Sequence, residues 1–419
     1  MRILHTADWH LGQRFHDQER YEEQLAFLNW LIGVLNEYQI DLLLVSGDIF
    51  DIQNPPNKAT ELYYYFLSKF IQDTPCQYAI ITGGNHDSVY NLNAPRDLLR
   101  FMKLHIVGGA TENIEDEIIE LKNEAGEIEA VVCAVPFLRD KDISYNKANI
   151  GTIERERHII ESITKHYQTL ADCVKERKYP ELSVPILTMG HLFAQGCKHS
   201  EEDEYSEAEK NIYIGNLGKV PAETFPEVFH YVALGHLHRS QIVGGKEHIR
   251  YSGSPIPLSF SERKDEKSVL LVSFEKNQID KIEKIAVPTE IYRRLMRFEG
   301  TLEKVVQDIE NHKNEHKTWA EVIIQTETYN PHTNLIIEEA TKNSNIRVLK
   351  TVIQYARNPK EDWTKAFEHQ NLQEISPEEV FRERCKKENF CEAEIEQDLL
   401  PLFRQILDEL QEEELGNNQ

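Results

Sequence analysis

The sequence predicts an α/β protein: a β-sandwich of covered sheets flanked by helices, then a small α+β capping domain and a C-terminal helical tail. Three observations carry this expectation. Over the first 275 residues, short apolar runs alternate with amphipathic stretches, the pattern of sheets buried beneath helices. Around residues 285–288 the pattern changes to a short strand–helix–strand–helix–strand series. Beyond Asn358-Pro359 an acidic segment carries an apolar stripe at helical spacing. At 419 residues the chain exceeds what a single core usually holds. The expected boundaries are 1–285, 286–358 and 359–419.

Taken in order, Ile3-Leu4, residues 42–45, residues 79–81, Val131-Val132, Ile186-Leu187 and residues 231–234 read as buried strands bounded by polar residues or glycine. Leu25, Leu28, Leu31, Ile32 and Leu35 recur at helical spacing, and residues 152–178 form a second long candidate helix. The consecutive aromatics Tyr63, Tyr64, Tyr65 and Phe66 would point all round a helix, half into the core and half outward, where a dimer face could use them. Residues 111–129 read as a solvated, charged hairpin turning near Gly126. Residues 268–274 continue the sheet. The small domain is expected as strand 292–298, helix 302–311, strand 320–326, helix 333–341 and strand 347–354. In the tail, Ser376-Pro377-Glu378-Glu379 is a capping box with proline at the first helical position, opening a helix to about Phe390. Ile395, Leu399, Leu402, Phe403, Ile406 and Leu410 then form a stripe that could cover the protein's own core or a partner helix.

Composition narrows the class. Hydrophobic residues make up 40% and charged residues 28%, with no run near the roughly 18 apolar residues of a membrane span. The opening MRILHTADWH has no apolar leader pattern, so a cytoplasmic address is expected. The six cysteines (Cys76, Cys133, Cys173, Cys197, Cys385, Cys391) form no CxxC pair and are expected to be reduced thiols. A net charge of -24 argues against a chain that coats phosphates with Lys and Arg by itself. The acidity is uneven, with 17 Asp/Glu against 6 Lys/Arg in residues 361–419.

The chemistry lies at the strand ends. Residues 3–4 lead to Asp8 and His10, and residues 42–45 lead to Gly47-Asp48-Ile49-Phe50-Asp51. Residues 79–82 lead to Gly83-Gly84-Asn85-His86-Asp87, residues 186–188 to Gly190-His191, and residues 231–234 to Gly235-His236-Leu237-His238. Open α/β sheets place function beyond the carboxyl ends of their strands. Asp, Asn and His together offer oxygen and imidazole donors suited to Mn, Fe, Zn or Ni rather than calcium. Any one fragment reads equally as a turn or a cap. Five in this order, each after an apolar run, read as a metal site.

The ordered set resembles the signature of the calcineurin-like metallophosphoesterases across about residues 1–275. The resemblance implies one divalent metal held by Asp8, His10, Asp48 and His238, and a second held by Asn85, His191, His236 and the shared Asp48. Two such cations would activate water and neutralise charge on phosphate oxygens. His86 becomes the candidate to steady the transition state or protonate the leaving oxygen. Asp87 would either orient His86 or simply form the turn.

The substrate is suggested by longer strings. Asp8-Trp9-His10-Leu11-Gly12, Ala134-Val135-Pro136-Phe137-Leu138-Arg139 and the loop from Arg250 to Glu262 resemble the SbcD-type nucleases, with Asp51 favouring their bacterial branch. That resemblance implies a double-strand 3'-5' exonuclease and hairpin endonuclease in DNA repair, usually with Mn2+. It also implies a homodimer, a domain that helps place DNA, and an SbcC-like coiled-coil ATPase gripped by the tail. Two other readings stand beside it: a small-substrate phosphodiesterase or phosphatase, and a non-catalytic subunit that tethers DNA ends. His5, His16 and His199 are open between supporting the site and ordinary packing, and Arg96 and Arg139 between phosphate contact and salt bridges.

Overall fold

The structure, a computed structural model, describes residues 1–139, 141–143, 152–194, 220–312, 316–328 and 330–355, and in the tail 378, 381–382, 384–385 and 395–404. The described residues fall into two compact units: Met1–Ile324 with Asn330–Ile353, and the remainder. Among them no helix is long and apolar enough to cross a membrane.

Two six-stranded sheets dominate the first unit. One contains β1 (Arg2–Thr6), β2 (Leu42–Ser46), β3 (Tyr78–Thr82) and β4 (Leu104–Val107), which run parallel in that order. The other contains the hairpin β5 (Ile118–Lys122) and β6 (Ile128–Cys133), then β7 (Ile186–His191) and β8 (Tyr231–Gly235). Its far edge is β9 (Gln241–Val243) and β10 (Lys246–Tyr251), in the order β9-β10-β8-β7-β6-β5. The first sheet is completed by β11 (Ser268–Glu275) and β12 (Gln278–Ala286), antiparallel beside β1.

All residues of β2, β3, β7 and β8 are buried, as covered parallel strands require. Between the sheets lie Ile3, Leu42, Leu44, Ile80, Val132, Leu187, Met189, Ala233 and Val272. Helices α1 (Tyr21–Glu37) and α2 (Asn57–Asp73) cover the outer face of the first sheet through Phe27, Leu31, Leu62 and Phe66. On the second sheet, α3 (Thr152–Glu176) contributes Ile159, Ile163, Tyr167 and Leu170. Each such side chain contributes about 1.5–3 kcal/mol when fully buried.

Register brings the functional ends of the strands level. Thr6 pairs with Val45, Ser46 with Thr82, and His191 with Gly235. The sheets converge there: Ser46 Oγ donates to the Ala233 carbonyl across the gap at 3.0 Å. A Cβ on Gly235 would stand 1.8 Å from the Ser46 carbonyl oxygen, so only glycine allows this approach.

The small domain follows as β13 (Arg294–Gly300), α4 (Leu302–Asn311), β14 (Thr318–Thr326), α5 (Thr333–Thr341) and β15 (Ile346–Tyr355). The Thr301 hydroxyl caps α4 by accepting from the Lys304 amide. Its core of Phe298, Val305, Val322, Ile324 and Ile337 is separate from those of the sandwich. Phe15 stacks on Trp319 at 5.2 Å beside Phe260 and Leu295, linking this domain to the loop after His10.

Two expectations change. The 111–129 segment does form a hairpin turning at Gly126, but it is not simply solvated. Ile118, Ile119 and Leu121 are buried because the hairpin closes the edge of the second sheet. Glu117 is fully buried and meets His166 Nε2 at 2.7 Å. The strand expected from 292 begins at Arg294. In the second unit, Phe381 stacks on Phe403 at 4.1 Å, and Cys385, Ile395 and Leu400 are buried together. Leu402 is exposed. Ser376, Pro377, Glu379, Phe390, Ile406 and Leu410 lie outside the described residues, as do Cys197 and Cys391. The described cysteines are free thiols.

Two glycines should respond oppositely to alanine in urea denaturation. Gly235→Ala meets backbone and should destabilise by about 3 kcal/mol or more. Gly33→Ala, at an exposed position of α1 with nothing within 4 Å of the new methyl, should stabilise by about 0.5–1 kcal/mol.

Candidate metal centre

The loop after β1 is stitched to the loop after β2 by main-chain hydrogen bonds. The Asp8 amide donates to the Gly47 carbonyl and the His10 amide to the Asp48 carbonyl, each at 3.0 Å. The second sheet joins them where the His236 amide donates to Asp8 Oδ1 at 2.8 Å. Asp8, His10, Asp48 and His236 all have positive φ, at 54°, 44°, 51° and 98°. A left-handed non-glycine residue costs on the order of 1–3 kcal/mol, and such strain concentrates at functional sites.

The structure brings together all eight residues singled out from the sequence. Asp8, His10 and His238 form one group of converging donor atoms, and Asp48, His191 and His236 form another. Asp48 Oδ2 lies between them, 3.1 Å from His191 Nε2 and 3.6 Å from His10 Nε2. Asn85 Oδ1 is 3.0 Å from both His191 Nε2 and His236 Nδ1. His86 flanks the first group, its ring centroid 4.8 Å from that of His10.

Ring orientation is set by the nitrogens that face away. His191 Nδ1 donates to the Ser46 carbonyl at 2.9 Å, which leaves Nε2 for the site. His10 Nδ1 lies 3.2 Å from Asp51 Oδ1, so its Nε2 also points inward. His86 Nδ1 donates to the Asp51 carbonyl at 2.6 Å, and its amide donates to Asp48 Oδ1 at 3.0 Å. Asp87 does not orient His86. Its buried carboxylate accepts from the amides of Gly84, Ile49 and Phe50, tying the β2 and β3 loops together.

Burial pushes the Asp8 carboxyl above its usual range and the Asp87 carboxyl up to about 6. Burial would also raise Asp48, but the His191 and His10 imidazoles hold it well below the carboxylate range. Burial opposes charge on His10 and His191, yet Asp51 and Asp48 push His10 up to about 9 and Asp48 pushes His191 to about 9. His236 is lowered to about 3 by burial and by the neighbouring His191. Burial likewise lowers His86.

The donor set fits divalent cations. Asp8 Oδ2 and His10 Nε2 are buried with no hydrogen-bond partner among the described residues, a costly state that a cation would relieve. Carboxylates, an amide oxygen and imidazoles suit a first-row transition metal, and a shared carboxylate suits two cations close together.

The other candidates lie elsewhere or act indirectly. His5 is buried against the Tyr231 hydroxyl at 2.9 Å, and His16 packs on Phe15 and Phe260. Arg139 donates to the Asp87 carbonyl at 2.7 Å, bracing that turn, while Arg96 is exposed beside Asp97. His199 lies outside the described residues. Sequence reasoning missed the ring-holding parts of Asp51 and Glu262. Glu262 Oε1 stands 3.4 Å from His238 Nδ1. The available signal was an acid ending the Arg250–Glu262 string, with nothing to show where it would reach.

Protons and metal should compete at this cluster. Below pH about 9, His10 and His191 carry protons that a cation must displace. Metal affinity should therefore rise with pH up to about 9, and binding at pH 7 should release protons. Calorimetry in buffers of different ionisation enthalpy measures this directly; identical heats in all buffers would contradict it.

Comparison with known proteins agrees with the geometry. The family described as "Calcineurin-like phosphoesterase" matches residues 1–240, and "Type 5 capsule protein repressor C-terminal domain" matches residues 291–389. The SbcD subunit of nuclease SbcCD from Escherichia coli (strain K12) is 36% identical over 411 residues, covering 97% of this chain and 98% of the relative. The Rhodobacter capsulatus protein of the same name is 38% identical over 267 residues, 62% of this chain and 64% of its own. That of Bacillus subtilis is 33% identical over 285 residues, 65% and 66%. With the sandwich, the convergent donors and a near-full-length match, the chain belongs to the SbcD family of SbcCD nuclease subunits, built on a calcineurin-like phosphoesterase domain.

Proposed function

We propose that this chain hydrolyses DNA phosphodiesters, cutting double-strand ends in the 3'-5' direction and opening hairpins, as the nuclease subunit of a DNA-repair complex. The observation that carries this reading is the Asp48 carboxylate between two buried donor groups. Asp8, His10, Asp48 and His238 would hold one divalent cation, and Asp48, Asn85, His191 and His236 the other. Two such cations, Mn2+ in this reading, supply a nucleophile from water near neutral pH and neutralise charge on the phosphate.

The chain's own residues position and protonate. Asn85, His86 and His238 are the partly exposed members of the cluster, so substrate approaches from their side. With Nδ1–H held by the Asp51 carbonyl, His86 has Nε2 to offer the leaving oxygen. Burial favours the neutral ring in the free protein. An arriving phosphodiester anion favours the imidazolium, the form that can give a proton to the leaving oxygen.

The domain roles follow the sequence reading: residues 1–285 cut, 286–358 help place DNA, and the acidic segment 359–419 grips an SbcC-like ATPase. Such a partner would share the DNA contacts that a chain of net charge -24 makes poorly alone. The complex would work in the cytoplasm as a heterotetramer around a homodimer of this chain. Exposed apolar side chains support the homodimer, since Tyr64, Tyr90, Leu98 and Phe101 are 45%, 81%, 63% and 90% exposed.

Purified protein with Mn2+ should cut a labelled duplex end and a hairpin, and Asp48→Ala should cut neither. His86→Ala should keep its metal yet lose roughly 10²–10⁴-fold in rate; full activity would remove His86 from the chemistry. Leu98→Glu combined with Phe101→Glu should convert a dimer to a monomer in analytical ultracentrifugation.

A further inference from the structure

Two of the histidines in the cluster have the outward nitrogen held by groups close to them, His191 by the Ser46 carbonyl and His10 by Asp51. His238 sits differently. Its side chain is 30% exposed, and its Nδ1 faces Glu262 Oε1 at 3.4 Å. Glu262 itself is buried and fully committed. Its other oxygen accepts from Lys267 Nζ, from Ser254 Oγ at 3.2 Å and from the Leu258 amide at 3.2 Å. Lys267, with 2% of its side chain exposed, also donates to the His238 carbonyl at 3.0 Å and to Ser254 Oγ at 2.9 Å.

A buried carboxylate–ammonium pair is costly to desolvate and contributes little to stability by itself. This one holds the ring and the backbone of the same histidine. Glu262 Oε1 faces the imidazole while its other oxygen is held by Lys267. We propose that Glu262 and Lys267 are positioning residues: Glu262 fixes His238 with Nδ1–H outward and Nε2 toward Asp8 and His10, and Lys267 clamps the His238 backbone. The pair thereby sets the affinity of one metal position and leaves the other alone. This rests on the metal-centre reading above. Carboxylates behind metal-bound histidines commonly change affinity by roughly 10–100-fold.

The test is Mn2+ titration of the full chain by calorimetry and electron paramagnetic resonance, which separates single ions from coupled pairs. Glu262→Ala with Lys267→Met removes both charges and avoids stranding a buried ammonium. It should lose roughly 10–100-fold at one position, with the other within about twofold of wild type. Glu262→Gln with Lys267→Met should recover most of the loss, because the amide oxygen still accepts from Nδ1–H. Adding Glu262→Ala and Lys267→Met to His238→Ala should cost nothing more at that position. Thermal melts without metal check that each variant folds. If wild type binds two ions and the Ala/Met variant binds both unchanged, or loses both equally, the proposal fails. If folded wild type binds fewer than two ions, the metal-centre reading itself fails.

Discussion

A carboxylate with imidazoles on two sides has to be kept out of water without being left unsatisfied, and the sandwich is arranged around that requirement. Asp48 is 2% exposed, with His10 and His191 at 3.6 and 3.1 Å. Buried charge is tolerated only when opposite charge and hydrogen bonds surround it. The convergence of the two sheets meets that condition. The same carbonyl of Ser46 that turns His191 inward is the atom Gly235 must approach, so sheet contact and ring orientation are one arrangement.

The loops hold their shape at a cost set elsewhere. Left-handed backbone at Asp8, His10, Asp48 and His236 is held by hydrogen bonds that run between loops. Asp87 is the clearest case, since one carboxylate gathers amides from the loops after β2 and β3. His86, next to it, needs no orienting side chain because the Asp51 carbonyl performs that task. Adjacent residues thus divide the work, Asp87 bracing two loops and His86 facing the donor cluster.

Much of this was legible in the sequence, for identifiable reasons. Strands β2, β3, β7 and β8 are continuous apolar runs because both faces are covered, so they stand out. Strand β10, read KEHIRY, buries only Ile249 and Tyr251 and did not stand out, nor did β12, an edge strand with a largely exposed face. The small domain was legible element by element because its helices and strands are short and well separated by capping and turn residues such as Thr301. The residues of the donor cluster were legible because each follows a visible strand. Asp51 and Glu262 were not, because their effect depends on which ring they reach in space. The 111–129 hairpin was misjudged on its charge, although Ile118, Ile119 and Leu121 of β5 are buried.

The donors come from five segments between Asp8 and His238, divided across both sheets. Neither of the two groups is complete without the second sheet, because Asp8 and His10 need His238, and Asp48 needs His191 and His236. During synthesis Asp8, His10 and Asp48 would therefore emerge well before His191, His236 and His238, and β11 and β12 of the first sheet later still. Contacts so far apart in sequence close late in folding. Occupancy of both groups would then report that strands of both sheets are in place.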